Sequence, residues 1–70
     1  MKANIEKLKE LTLAELITIN QFNIATFNYI SEIKENKRTE AQISMLAKVN
    51  AIGYEVDGLV SEKLNEFIIE

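Results

Sequence analysis

The chain has 70 residues, of which 47% are hydrophobic, and a formal net charge of −3. This length allows one small domain, which we place over residues 1–70. The sequence has no His and no Cys, so it lacks the commonest general base, any thiolate nucleophile and the usual transition-metal ligands. We therefore predict a protein that is not an enzyme and that holds no cofactor and no metal.

The chain is predicted to be cytoplasmic. Its first ten residues, MKANIEKLKE, are charged and lack the apolar centre of a signal peptide. No run approaches the roughly 18 consecutive apolar residues of a membrane span. Lys is favoured over Arg, and Ile and Asn are frequent. These amino acids have A/T-rich codons, so a phage, a plasmid or a low-GC bacterium would fit as the source.

A short amphipathic helix is predicted first, because Ile5, Leu8 and Leu11 recur every three residues in charged surroundings. The four residues TLAE from Thr12 then match a capping box, which marks the start of a helix. A long helix is predicted to follow over residues 13 to about 36. The short helix could instead run continuously into the long one, because the apolar residues of both would fall on the same side of a single helix.

The first long helix has an unusually wide apolar sector of about 240° at 100° per residue. A single partner helix cannot cover a sector of this width, so we expect several neighbours. The sector contains Leu13, Leu16, Ile17, Ile19, Phe22, Ile24, Phe27, Tyr29, Ile30 and Ile33.

A second long helix is predicted over residues 39 to about 68, opened by a second capping box, TEAQ from Thr39. Gly53 and Gly58 lie inside the pattern, and a kink at either is the main alternative to one continuous helix. The apolar residues of this helix occupy a narrower sector of about 140°. They are Met45, Leu46, Val49, Ile52, Val56, Leu59, Val60, Leu64 and Phe67.

These elements predict an all-α fold, a helical hairpin of two long helices preceded by a short N-terminal helix. A chain this short has little capacity for a self-sufficient core. Because the first long helix is also apolar over most of its circumference, we predict a homodimer with a four-helix-type bundle.

Two amides interrupt the most apolar side of the first long helix. Asn20 and Asn23 are three residues apart and so share a face. Either the helix is rotated so that both amides reach water, or they pair with amides of a second chain and fix the register of a dimer. We favour pairing. The residues that would meet the second chain recur every three or four positions, and we call them the seam. They are Leu13, Leu16, Asn20, Asn23, Phe27 and Ile30.

Apolar and small residues remain after one core face is assigned to each helix. Exposed aromatic residues and close-packing small residues are typical of docking surfaces. We predict a partner or subunit interface formed by Asn20, Phe22, Asn23, Tyr29, Ile33, Ile43, Ala47, Ala51 and Tyr54.

The function predicted from these patterns is that of a small protein-binding regulator, inhibitor or adaptor. The alternative is a nucleic-acid-binding regulator that uses Lys34, Lys37 and Arg38 and resembles the Rop-type hairpin dimer in architecture. The acidic balance disfavours this alternative, because nucleic-acid binders are normally basic. The expected partners are a second copy and another protein, with no membrane and no metal.

Overall fold

The computed structural model describes residues 1–69, which form helices and no strand. Helix α1 spans Ile5–Lys9, α2 spans Leu13–Ser31 and α3 spans Glu40–Asn65, with a 3-10 turn at Glu35–Lys37 between the two long helices. Helices α2 and α3 pack against each other, and α1 folds back onto α3. The predicted all-α hairpin with a separate short helix is therefore confirmed, and the continuous alternative is wrong.

Both predicted capping boxes are confirmed. The hydroxyl of Thr12 accepts from the Glu15 N–H at 3.2 Å, and the Glu15 carboxylate accepts from the Thr12 N–H at 2.9 Å. Thr39 and Gln42 make the same pair of bonds at 3.1 and 2.9 Å. The side chain of Asn4 caps α1 in a similar way. These bonds satisfy backbone N–H groups that a helix start otherwise leaves unpaired.

The cap of α2 is expected to depend on pH, whereas the cap of α3 is not. The Thr12 backbone N–H, and secondly its hydroxyl, hold the pKa of the Glu15 carboxyl below its usual value. A lowered pKa in the folded state means that the stabilisation is complete above the ordinary glutamate pKa. It is lost as pH falls through the lowered value. Gln42 does not titrate.

We therefore expect Glu15→Gln to reduce the loss of stability in acid, measured as the urea midpoint from pH 7 down to pH 3. Gln can also form a capping box, but unlike the Glu carboxylate it does not titrate. Glu62→Gln, which removes an exposed carboxylate of α3, is the control. If the urea midpoint of Glu15→Gln fell with pH as steeply as that of the wild type, the pH dependence would not come from the Glu15 cap.

The prediction that α2 continues to about residue 36 is wrong, because Arg38 ends the helix. Its Nε donates to the Ile33 carbonyl at 2.9 Å, and its Nη2 donates to the Ser31 carbonyl at 3.3 Å. The guanidinium thus takes carbonyls that another helical turn would use. The backbone at Lys34 is extended, with ψ at 139°.

Helix α3 is uninterrupted, so neither Gly53 nor Gly58 breaks it. It ends at Asn65, slightly earlier than predicted. In the described part of the chain, no helix combines the length and the apolar character needed to cross a bilayer.

The core lies between α1, α2 and α3. Leu16 and Val56 are fully buried and cluster with Leu8, and Val49 and Ile30 extend the buried contact towards the turn. The predicted core side of α3 is thus confirmed at its centre. It is wrong at the two ends, where Met45, Leu64 and Phe67 are exposed.

Candidate functional site

An open groove of about 320 Å³ runs along one side of the hairpin between α2 and α3. Its walls are mostly apolar, and several amide side chains interrupt them. We call this feature the groove. It is lined by Asn20, Asn23, Ile24, Phe27 and Asn28 of α2, and by Val49, Asn50, Gly53, Tyr54 and Asp57 of α3.

Helix α1 covers the opposite flank of the hairpin. Leu8 of α1 belongs to the same cluster as Ile19, Ile52 and Leu59, all half-buried. At 100° per residue, these three positions fall on the other flank of α2 and α3 from the groove residues. The short helix therefore shields one side of the hairpin and leaves the groove side without a covering element.

Asn23 is the one buried polar side chain among the described residues, with 5% of its surface exposed. It lies seven residues from both Leu16 and Ile30, which are buried against α3, so it occupies the same face as they do. Its Nδ2 has no hydrogen-bond partner in the described part of the chain. A buried donor left in this way costs roughly 1–3 kcal/mol.

The hypothesis that both amides reach water is therefore wrong for Asn23. Asn20 is half-buried at the margin of the groove. The fold thus places an amide in need of a partner at the wall of an open cleft, and it brings a second amide beside it.

Gly53 leaves a notch in the α3 wall. A Cβ built on Gly53 would meet no atom within 4 Å, and its φ is not positive, so neither crowding nor backbone conformation within the chain requires glycine. Glycine in a helix interior costs roughly 1 kcal/mol relative to alanine. Gly58 has the same open space but is exposed and lies outside the groove.

The groove offers mainly apolar side chains and amides. Asp57 is the one carboxylate of its lining, so it contains no pair of acids with separated roles. The side chains that flank Asn23 offer apolar contact, because Ile24, Phe27 and Tyr54 are all exposed. Residues 1–69 contain no group of His, Cys, Asp or Glu that could hold a metal ion.

The predicted interface residues fall on more than one surface. Asn20, Asn23 and Tyr54 line the groove. Phe22 and Tyr29, which are 57% and 65% exposed, fall on the other flank of α2 at 100° per residue, and we call this pair the aromatic flank.

The other predicted interface residues lie outside both surfaces. Ile33 is half-buried in the bend after α2. Ile43 and Ala47 are exposed near the start of α3, and Ala51 is half-buried.

The predicted interface omitted Ile24, Phe27 and Gly53, all of which line the groove. Phe27 had been placed only in the predicted seam. A signal for the first two exists, because Asn20, Ile24 and Phe27 follow the four–three spacing of one helix face. Gly53 carries a weaker signal, a helix-interior glycine that nothing local explains.

The cations of the nucleic-acid alternative lie in the turn between α2 and α3. Arg38 is half-buried and its guanidinium caps α2, which gives it a structural role. Lys34 and Lys37 are exposed on either side of Glu35, whose carboxylate offsets part of their positive field.

Comparisons with protein-family models, with curated proteins and with solved structures find no match for this chain. The geometry of the groove and of the aromatic flank is therefore the basis for a functional proposal.

Proposed function

We propose that this chain is a small non-enzymatic regulator, inhibitor or adaptor that binds another protein through its helical surface. It acts in the cytoplasm as a homodimer, and a phage or plasmid source fits its residue choice. The observation that carries the proposal is that three aromatic side chains of α2 and α3 are more than half exposed. Phe22, Tyr29 and Tyr54 are 57%, 65% and 78% exposed.

Aromatic side chains at exposed helix positions are suited to protein recognition. Large rings with few rotatable bonds lose little entropy on binding and contribute much of the energy of interfaces. The hairpin carries such side chains on two sides, Tyr54 at the groove and Phe22 and Tyr29 on the aromatic flank. Two separate surfaces allow a second copy and a different protein to bind at the same time.

The test of heteromeric binding uses the aromatic flank. A protein captured by the 70-residue chain from its native host is purified, and its affinity is measured for the wild type, Tyr29→Glu and Gln21→Glu. Gln21 is an exposed residue of α2, so its variant adds the same charge to the same helix. We expect Tyr29→Glu to weaken binding at least about tenfold, equivalent to 1.4 kcal/mol, and Gln21→Glu to change it little.

Circular dichroism at 222 nm checks that both variants remain helical. Equal affinities for the two variants would contradict a docking role for Tyr29. Loss of the fold in Tyr29→Glu would show that the residue belongs to the core.

A salt titration separates protein binding from nucleic-acid binding. An apolar protein interface gives a shallow dependence of log Kd on log salt, whereas neutralised phosphates give a steep linear one. A steep slope for a nucleic-acid ligand, abolished by Lys34→Ala with Lys37→Ala, would contradict the proposal.

A further inference from the structure

We infer that the groove is the seam of an antiparallel homodimer, in which a second copy of this chain packs α2 on α2 and α3 on α3. The two-fold axis crosses the hairpin near Asn23 and Gly53. This inference rests on the homodimer in the proposed function, and adds which surface is used, which direction the copies take and where the axis lies.

The surface area of the single chain matches what a dimer needs. The chain exposes 5615 Å², whereas a compact monomer of 8.0 kDa exposes about 4,450 Å². The excess of roughly 1,150 Å² per chain lies within the range that obligate homodimers bury, about 1,000–2,500 Å² per subunit. A second copy of the same length would therefore return the chain to a normal ratio of surface to mass.

The shape of the chain leads to the same conclusion. Its extents are 48 × 22 × 17 Å and its Cα radius of gyration is 14.0 Å, against about 11 Å for a compact domain of this length. Two such rods packed along their length double the cross-section without adding length. A compact body of twice the chain length has a radius of about 14 Å.

The amides of the groove are complementary to themselves. A primary amide carries both a donor and an acceptor, so two amides related by a two-fold axis can bond each other reciprocally. Asn23 is 95% buried with an unpartnered Nδ2, and Asn20 lies beside it at the groove margin. Because the Nδ2 of Asn23 is enclosed by its own chain, the inference requires this side chain to turn towards the groove when the second copy binds.

The position of these residues along the helices indicates the direction of the second copy. Asn23 lies one residue from the midpoint of α2, Leu13–Ser31, and Gly53 lies at the midpoint of α3, Glu40–Asn65. A two-fold axis perpendicular to the helices at this level superposes each helix on its antiparallel counterpart without overhang. A parallel arrangement would not require the special residues to be central.

Gly53 suits the crossing point of the two α3 helices. The open space above its Cα admits the backbone or a side chain of a second α3. Electrostatic repulsion between the grooves of two copies is also small, since Asp57 is the one carboxylate of the lining. With the axis at Gly53, the two Asp57 residues lie about 12 Å apart along the helix direction, beyond the Debye length of about 8 Å at physiological salt.

The first test is disulfide cross-linking of single-cysteine variants of the full chain, which has no Cys of its own. Ile24 and Phe22 are 54% and 57% exposed and flank Asn23 symmetrically, but they face the groove and the aromatic flank respectively. Under an added oxidant we expect Ile24→Cys to form a disulfide-linked dimer at least about tenfold faster than Phe22→Cys. Facing Cα atoms at an antiparallel crossing come within the reach of a disulfide.

The outcomes separate this inference from the proposed function. Faster cross-linking through Phe22→Cys, with a dimeric wild type, overturns the groove as the seam but leaves the homodimer standing. A wild-type chain that sediments as a monomer overturns both the inference and the homodimer.

The second test compares Gly53→Leu with Gly58→Leu. Both replace a glycine of α3 that has open space around its Cα, and both raise helix propensity equally. We expect Gly53→Leu to fill the notch and raise the dimer dissociation constant at least about tenfold, while Gly58→Leu leaves it within about twofold. Equal dissociation constants for the two variants would overturn the seam.

Discussion

Leu16→Ala is expected to lower the free energy of unfolding by about 3–5 kcal/mol, the largest effect of any single truncation in this chain. Leu16 is fully buried and clusters with Leu8 of α1 and Val56 of α3, so its loss leaves a cavity where all three helices meet. A domain of 70 residues has a total stability of roughly 4–10 kcal/mol. The variant should therefore be partly unfolded at 37 °C.

The measurement is urea unfolding followed by circular dichroism at 222 nm, at one fixed protein concentration because association contributes to stability. Leu64→Ala makes the same chemical change at a residue that is 46% exposed. It should cost less than half as much. Equal losses at the two positions would show that the cluster around Leu16 is not the centre of the core.

Asn23→Leu is expected to raise the free energy of unfolding by roughly 1–3 kcal/mol while disturbing the uniformity of the dimer. The stabilising part follows because the Nδ2 of Asn23 has no partner within the described chain, and a cross-dimer amide pair returns only part of its desolvation cost. The loss of uniformity follows because a buried Asn penalises slipped packings that leave amides unpaired.

The melting curve and the mass distribution by size exclusion with light scattering are both needed. Gln21→Leu, at an exposed position two residues away, controls for added hydrophobicity on α2 and should change neither. A uniform dimer of unchanged stability in Asn23→Leu would contradict a role for the amide in the seam.

Local chemistry made the helix starts predictable. Thr12 and Thr39 form capping boxes with residues three positions ahead, so all the required atoms lie within one turn. The end of α2 was not predictable in this way. The apolar residues keep their helical spacing as far as Ile33, which predicts a longer helix. Arg38, which follows the bend, instead donates hydrogen bonds to the Ser31 and Ile33 carbonyls.

In the described chain α2 packs along its length on α3, and the further neighbours expected from its wide apolar sector stay a prediction. The width of that sector does not indicate which flank each neighbour covers. The position of α1 determines which flank is covered. This helix has five residues, and its position depends on where Leu8 packs. Because Leu8 joins Ile19 and Ile52, one flank is covered and the groove stays open. Ile24 became a candidate site residue only after α1 had been placed, whereas Phe27 already belonged to the predicted seam.

Asn20 and Asn23 were singled out by their chemistry, because amides in an apolar run need partners. Gly53 was not, because sequence periodicity treats it as a weak point of α3. The structure shows that it faces the groove with open space above it.

Sedimentation equilibrium of the wild-type chain at micromolar concentration shows most directly whether a second copy completes the exposed groove. We expect a single species with twice the chain mass of 8.0 kDa. A monomer that unfolds cooperatively and independently of its concentration would contradict this expectation.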